Sequence, residues 1–217
     1  MRALTTQIGG VCAAIFAILF AIGIFLLSDS PDSDGPNEDY TKYVNDSGNL
    51  VENIIGAYIV VIAALVFLIF LAAIYRRLRS AEGEDGLWSL VVLVSGTIFV
   101  AMAMAGTILI VAIAGAIKFG STPEPPPEFA RYLPQAGFGL LLLAGGLAAA
   151  LMTAVISGLI VQTRTLPVWV GYTGFLAALA MVFAVIFVPA ILFVLWMLAL
   201  GIAMMMTSEP ERASAAA

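Results

Sequence analysis

Apolar residues in this chain come in long unbroken runs rather than at the spacing of amphipathic elements. Runs at about 8–27, 54–75, 87–117 and 136–161 can each cross the roughly 30 Å of a bilayer's hydrocarbon, because a helix rises about 1.5 Å per residue. A fifth block, Val168 to Met206, is 39 residues, or roughly 58 Å as one helix, which is too long for a single crossing. Pro189 near its middle removes a backbone donor and interrupts a helix. The block reads as two helices, 168–187 and 190–206, joined by a tight turn at Val188 and Pro189; one kinked helix with an interfacial end is the alternative. The pattern therefore predicts an all-α polytopic membrane bundle, a single transmembrane domain over 1–206 with six transmembrane helices. An acidic outer loop at 28–53, a Pro-rich outer loop at 118–135 and a disordered tail at 207–217 complete it.

Two runs need comment. The first starts after Arg2, where a secretion signal would start, but its exit Leu27-Ser28-Asp29-Ser30 has no small-x-small cleavage site, so a retained helix is expected. The third, roughly 46 Å if fully helical, predicts strong tilt or protrusion into water.

Composition narrows the class. With 62% hydrophobic residues, 11% charged and a mean hydropathy of +1.09, the chain lies far from soluble domains, about a quarter of whose residues are charged. Cytosolic enzyme folds and nucleic-acid partners are excluded, and the lipid bilayer is the expected partner. There is no histidine and one cysteine, Cys12, which removes structural disulfides, zinc sites, histidine-held haem and cysteine-histidine catalysis.

Orientation follows from lysine and arginine. With six spans, Arg2, Arg76, Arg77, Arg79, Arg164 and Arg212 fall on one side, and Lys42, Lys118 and Arg131 on the other, which predicts both termini in the cytoplasm. The outer side also carries nine carboxylates, giving it a net charge of −6 against +1 inside.

The two outer loops share a pattern. Asp39-Tyr40-Thr41-Lys42-Tyr43-Val44 and Glu128-Phe129-Ala130-Arg131-Tyr132-Leu133 both read acid, aromatic, small, base, tyrosine, aliphatic. This suggests a parallel repeat of helical hairpins, with tyrosines at headgroup depth; chance similarity of two interfacial stretches is the alternative. The loop from Ser28 to Asn37, acidic and without apolar anchors, is expected to be mobile.

Helices in a bilayer associate by close packing of small residues, since lipid tails are as apolar as leucine. Gly9, Ala13, Ala17 and Ala21 recur every fourth residue on the first span, and Gly146, Ala150, Ala154 and Gly158 on the fourth. Each set makes a smooth face, internal to the bundle or offered to a homo-oligomer or membrane-protein partner.

Chemistry is sparse. No apolar run contains Asp, Glu, Lys, Arg or His, the groups that proton relays, ion-coupled transporters and voltage sensors need. No acid, base or nucleophile lies at depth, so no enzyme is expected, and no cofactor or metal site is predicted. Hydroxyls at Thr97, Thr107, Thr153 and Ser157, with Tyr172 nearer an interface, are the candidate lining of a ligand cavity. Methionines such as Met152 and Met197 read as core filling. Two readings result: an accessory subunit or scaffold packed against other membrane helices, or a binding or transport protein for a neutral or lipophilic small molecule.

Five stretches carry a resemblance. They are Arg2 to Gly10, Tyr40 to Asn49 followed by Gly56-Ala57-Tyr58, Arg76 to Gly83, Phe129 to Gly139, and Leu166-Pro167-Val168-Trp169. Together they resemble multi-pass membrane proteins of actinobacteria whose function is unknown. The resemblance implies six helices in a bacterial cytoplasmic membrane and brings no substrate, cofactor or catalytic residue.

Overall fold

The computed structural model describes residues 2–28, 31, 35–83, 85–120, 125–186 and 189–207. Three long helices, α1 (Arg2–Leu27), α3 (Ser47–Glu82) and α4 (Leu87–Phe119), follow one another up and down. Between the first two lies a short helix, α2 (Asn37–Asn45). After α4 comes α5 (Pro127–Phe138), which runs through a π-helical turn at Gly139–Ala144 into α6 (Gly145–Thr163). The chain ends in a hairpin of α7 (Val168–Val182), a 3₁₀ turn at Ala184–Ile186, and α8 (Ala190–Met206).

Four helices are long and apolar enough to cross a membrane: Thr6–Leu27, Ser47–Glu82, Leu87–Phe119 and the continuous Pro127–Thr163. The six crossings expected from the sequence are corrected by this measure. At 15 and 17 residues, α7 and α8 are about 22 and 26 Å long, short of roughly 30 Å of hydrocarbon. Length is lost where Phe183 leaves helical geometry (φ −103°, ψ 20°), the next three residues tighten to 3₁₀, and Pro189 caps α8. Val188, the other residue of the expected turn, lies outside the described residues, as do 208–217 of the expected tail.

The long helices close a ring: α1 on α3, α3 on α4, α4 on α6, α6 on α7, α7 on α8, and α8 back on α1. Small residues set each seam. A Cβ on Gly9 would lie 2.5 Å from the Ala73 Cβ, one on Gly10 2.6 Å from the Gly201 carbonyl, and one on Gly23 2.6 Å from Val60. Gly106 and Gly137 bring α4 and α5 equally close, and Gly146 sits against the Met181 carbonyl and Ala184. Inside the ring, Phe16, Phe67, Phe99 and Phe193 meet at centroid separations of 4.6 Å (Phe16–Phe67), 5.4 Å (Phe67–Phe99) and 5.8 Å (Phe99–Phe193), several edge-on, as ring quadrupoles favour.

This aromatic layer fixes the height of the hairpin. Phe193, in the first turn of α8, sits among residues near the middle of α1, α3 and α4. Ala184 touches Gly146, whose neighbour Gly145 contacts Phe99 and Met102 halfway along α4. Beyond Met102, α4 continues to Phe119, about 25 Å further, and α1 continues about 16 Å beyond Phe16. Ala184 and Phe193, on the two arms of the hairpin, sit well below the ends of its neighbours.

Both stretches expected as outer loops hold helices. Pro36, in extended geometry, starts α2, and Glu38 and Asp39 in its first turn complement the helix dipole. Asp46 then caps α3 by accepting from the Gly48 N–H at 2.7 Å. Pro127 opens α5, with Glu128 following. Tyr40, Val44 and Ala130 form a small core here, packed by Tyr43 and by Ile113 and Ile117 of α4, so the excess length of α4 is a post for α2 and α5. The mobility expected of the acidic loop concerns a stretch of which Asp29, Ser30 and 32–34 lie outside the described residues.

At the opposite end, Glu82 links α3 to α4. Its carboxylate accepts from the Trp88 N–H at 2.8 Å, the Ser89 N–H at 2.8 Å and the Ser89 hydroxyl at 2.5 Å, capping α4. Arg77, buried, donates to the Thr165 carbonyl at 2.5 Å and ties α3 to the loop before α7.

Candidate functional site

The sequence-expected residues are dispersed. Gly9 is buried against α3 and α8, Ala13 against α8 and Gly146 against α7; Ala17 and Ala150 are buried, while Ala154 and Gly158 are half-buried. Ala21 departs from its stripe: it is exposed. Of the five expected lining residues, Thr97 is exposed on α4 and Tyr172 is 64% exposed on α7. The other three are fully buried. Thr107 donates to the Ala103 carbonyl at 2.7 Å and Ser157 to the Thr153 carbonyl at 2.7 Å, each one turn back along its own helix. The Thr153 hydroxyl is buried without a hydrogen bond. None of the five lines either of the clefts described next.

One cleft, of about 150 Å³, opens among α1, α2, α3, α4 and α5. Its floor is apolar: Leu27 at the end of α1, Ile110 of α4, Pro134 and Phe138 of α5. Its upper wall is polar, with Tyr40, Tyr43, Asn53, Arg131 and Gln135. The two hexamers that match in sequence meet here, although they are not equivalent. Arg131 of the second lies over the Tyr40 ring of the first, 4.9 Å from its centroid, a cation–π contact. Tyr40 is buried whereas its counterpart Phe129 is exposed, and α2 ends at Asn45 whereas α5 continues into the next long helix.

The polar wall is held by hydrogen bonds across long stretches of chain. One Arg131 terminal nitrogen donates to the Gly35 carbonyl at 2.6 Å and to Asn37 Oδ1 at 3.0 Å, tethering α5 to the start of α2. Asn53 donates to the Tyr43 hydroxyl at 2.5 Å and to the Asn49 carbonyl at 3.0 Å, and the Tyr40 hydroxyl donates to the Pro31 carbonyl at 3.0 Å. Among the described residues, Arg131 is the only charged one of the lining. Among them it has no carboxylate partner, and its Nε is buried without a hydrogen bond. On the opposite face of α5 a second cleft, of about 200 Å³, is wholly apolar, lined by Ala112, Ile113, Ala116, Ile117, Pro125, Phe129 and Leu133.

The geometry of α5 follows from its sequence. Pro134 inside the helix has no N–H to give the turn before it, and Gly137 and Gly139 follow it. The backbone then widens into the π-turn at Gly139–Ala144, a type of irregularity that frequently accompanies functional sites. Sequence reasoning placed Arg131 in a repeat but did not single it out as a site residue, because its partners Gly35 and Asn37 lie 96 and 94 positions away. The available signal was a lone base between aromatics in an interfacial segment.

Comparison of the chain with protein-family models, with curated proteins and with solved structures finds no match.

Proposed function

We propose that this chain is a non-catalytic integral membrane protein that binds a lipophilic molecule at the α2–α5 end of its bundle. One observation carries the reading: the cleft there joins an apolar floor of Leu27, Ile110 and Phe138 to a polar wall centred on Arg131. Ligand sites are usually apolar concavities with a few fixed polar groups. The apolar runs contain no ionisable side chain, so the reading involves neither ion coupling nor chemistry at depth.

The membrane assignment is supported by aromatic side chains exposed at both ends, Trp88 and Trp169 at one and Phe25, Tyr58 and Tyr132 at the other. Four helices cross, and α7 and α8 rise and return as a short hairpin, which leaves both termini on the arginine-rich face. The excess of arginine makes that face cytoplasmic, and the resemblance favours a bacterial cytoplasmic membrane.

A second reading, accessory subunit or scaffold, has its own support. Ala101 and Ala105 are exposed one turn apart on α4, beside the exposed Ile98 and Ile108, a surface that allows a foreign helix to approach closely. Native mass spectrometry of protein extracted gently from its own membrane separates the two. A homogeneous retained small molecule or lipid is the expected result; a stoichiometric second protein with no small molecule would replace the binding reading with the accessory one.

A further inference from the structure

We infer that α5 is a swinging wall of the cleft: above Gly137 it moves away from α2 into the apolar groove behind it, enlarging the cleft to admit the lipophilic molecule, and Arg131 is the latch that holds it shut. The inference rests on the binding reading above and names the movement by which that site fills.

Size motivates the movement. A cleft of about 150 Å³ is smaller than the roughly 300–1,000 Å³ of pockets that enclose a drug-sized ligand. The missing volume lies behind α5. Arg131, Pro134 and Gln135 line the cleft, Phe129 and Leu133 line the groove of about 200 Å³ on the opposite face, and this one helix divides the two. The α4 side of the groove includes Ala112 and Ala116, whose small side chains leave room for Phe129 and Leu133 to close onto.

The construction of α5 suits it to this motion. Of its twelve residues only Ala130 and Gly137 are buried. Gly137 is the pivot: a Cβ there would lie 2.5 Å from the Gly106 carbonyl, so the backbones of α4 and α5 touch at that level. The helix is weakened on both sides of the pivot. Pro134 gives no N–H to the Ala130 carbonyl, and the π-turn begins at Gly139. Prolines and π-turns are where helices bend sharply, and hinges need only a few such residues. The apolar core that α5 would leave is small, since its buried share of the cluster with Tyr40 and Val44 is the methyl of Ala130.

The facing wall, α2, is fixed to α3. Asp46 caps α3 directly after α2, and Asn53 of α3 donates to the Tyr43 hydroxyl at 2.5 Å. Arg131 is the side chain that spans from the moving wall to the fixed one. It donates to the Gly35 carbonyl at 2.6 Å and to Asn37 Oδ1 at 3.0 Å, and its guanidinium lies 4.9 Å from the centroid of the Tyr40 ring. These partners are neutral, so opening the latch strands none of them as a buried charge.

The test measures the separation of α2 and α5 by double electron–electron resonance, on the full chain in phosphatidylcholine nanodiscs. In a Cys12→Ala background, spin labels are carried by Lys42→Cys and Glu128→Cys, both exposed positions; Lys42→Cys with Val51→Cys, exposed on α3, is the control pair. Arg131→Gln should shift the first pair towards a longer-distance population and leave the control pair unchanged. Asn37→Ala, which removes one acceptor of the latch and keeps the charge, should shift it less, and it carries the test if Arg131→Gln does not fold. Ala116→Phe fills the groove behind α5 and should return Arg131→Gln to the short distance. An unshifted first pair in the latch variants, a shift that Ala116→Phe does not reverse, or an equal shift in the control pair would overturn the inference. Native mass spectrometry of protein extracted gently from its own membrane separates the inference from the reading beneath it. Ala116→Phe leaves every residue of the cleft in place and should lose the small molecule that the wild type retains. Equal retention by Ala116→Phe would overturn the swing and leave the binding reading standing. A wild type that swings but retains no small molecule would keep the movement and remove the binding reading.

Discussion

Two glycines on long helices should respond oppositely to the same substitution. A methyl on Gly10 would meet the Gly201 carbonyl at 2.6 Å and side-chain atoms of Met205 and Met204 at 2.9 and 3.1 Å, where the backbones of α1 and α8 touch. A methyl on Gly115 of α4 would meet nothing within 4 Å. Gly10→Ala should therefore destabilise by about 1–3 kcal/mol through overpacking, whereas Gly115→Ala should be neutral or stabilise by up to about 1 kcal/mol by restricting the unfolded backbone. Thermal unfolding of both variants in one detergent decides this; a loss at Gly115 as large as at Gly10 would show that close approach at the α1–α8 seam is not what sets the cost. The small-residue stripes were legible in sequence because their period of four is a local property. That Ala21 would stay uncovered was not, since cover depends on packing against helices far away in the chain.

Among the elements, the junction of α3 and α4 is capped by one side chain. Glu82 supplies three acceptor contacts to Trp88 and Ser89 at the start of α4. Glu82→Ala should cost about 1 kcal/mol, as for loss of a helix cap, and should speed amide exchange at Trp88 and Ser89 before any other change appears. Unaltered exchange there would show that the cap is dispensable. Apolar length made α1, α3 and α4 readable, because a membrane-depth helix must be nearly unbroken. The short helices were missed for two reasons: α2 spans nine residues, and isolated helices below about 12–15 residues are marginal in water, while α5 carries Pro134 inside it and continues into α6. They form because Tyr40, Val44 and Ala130 bury against one another and against α4, a tertiary effect with no local signature beyond Pro36, Pro126 and Pro127.

At the scale of the molecule, the height of the hairpin is open to direct measurement. In a Cys12→Ala background, cysteines at Pro189 and Ala190 should resist a membrane-impermeant thiol reagent applied to either face. Cysteines at Asn45 and Ser80 should each react from one face only, and from opposite ones. Labelling at Pro189 from the face of Asn45 would restore six full crossings. The sequence showed that the last apolar block must bend near Pro189 but not how far it rises. Height is set by the contacts of Phe193 with Phe16 and of Ala184 with Gly146, which pair residues about 180 and 40 positions apart. The same ring has a consequence for biogenesis. Its closing seam joins α1 to α8, which follows every other helix of the ring along the chain. While the ribosome is still delivering the helices between them, Gly9, Gly10 and Ala13 of α1 lack the α8 side of their packing. Loss of α8 would leave that smooth face permanently open to lipid and to any foreign helix, which makes the seam a natural place for a membrane protease to tell an unfinished bundle from a closed one.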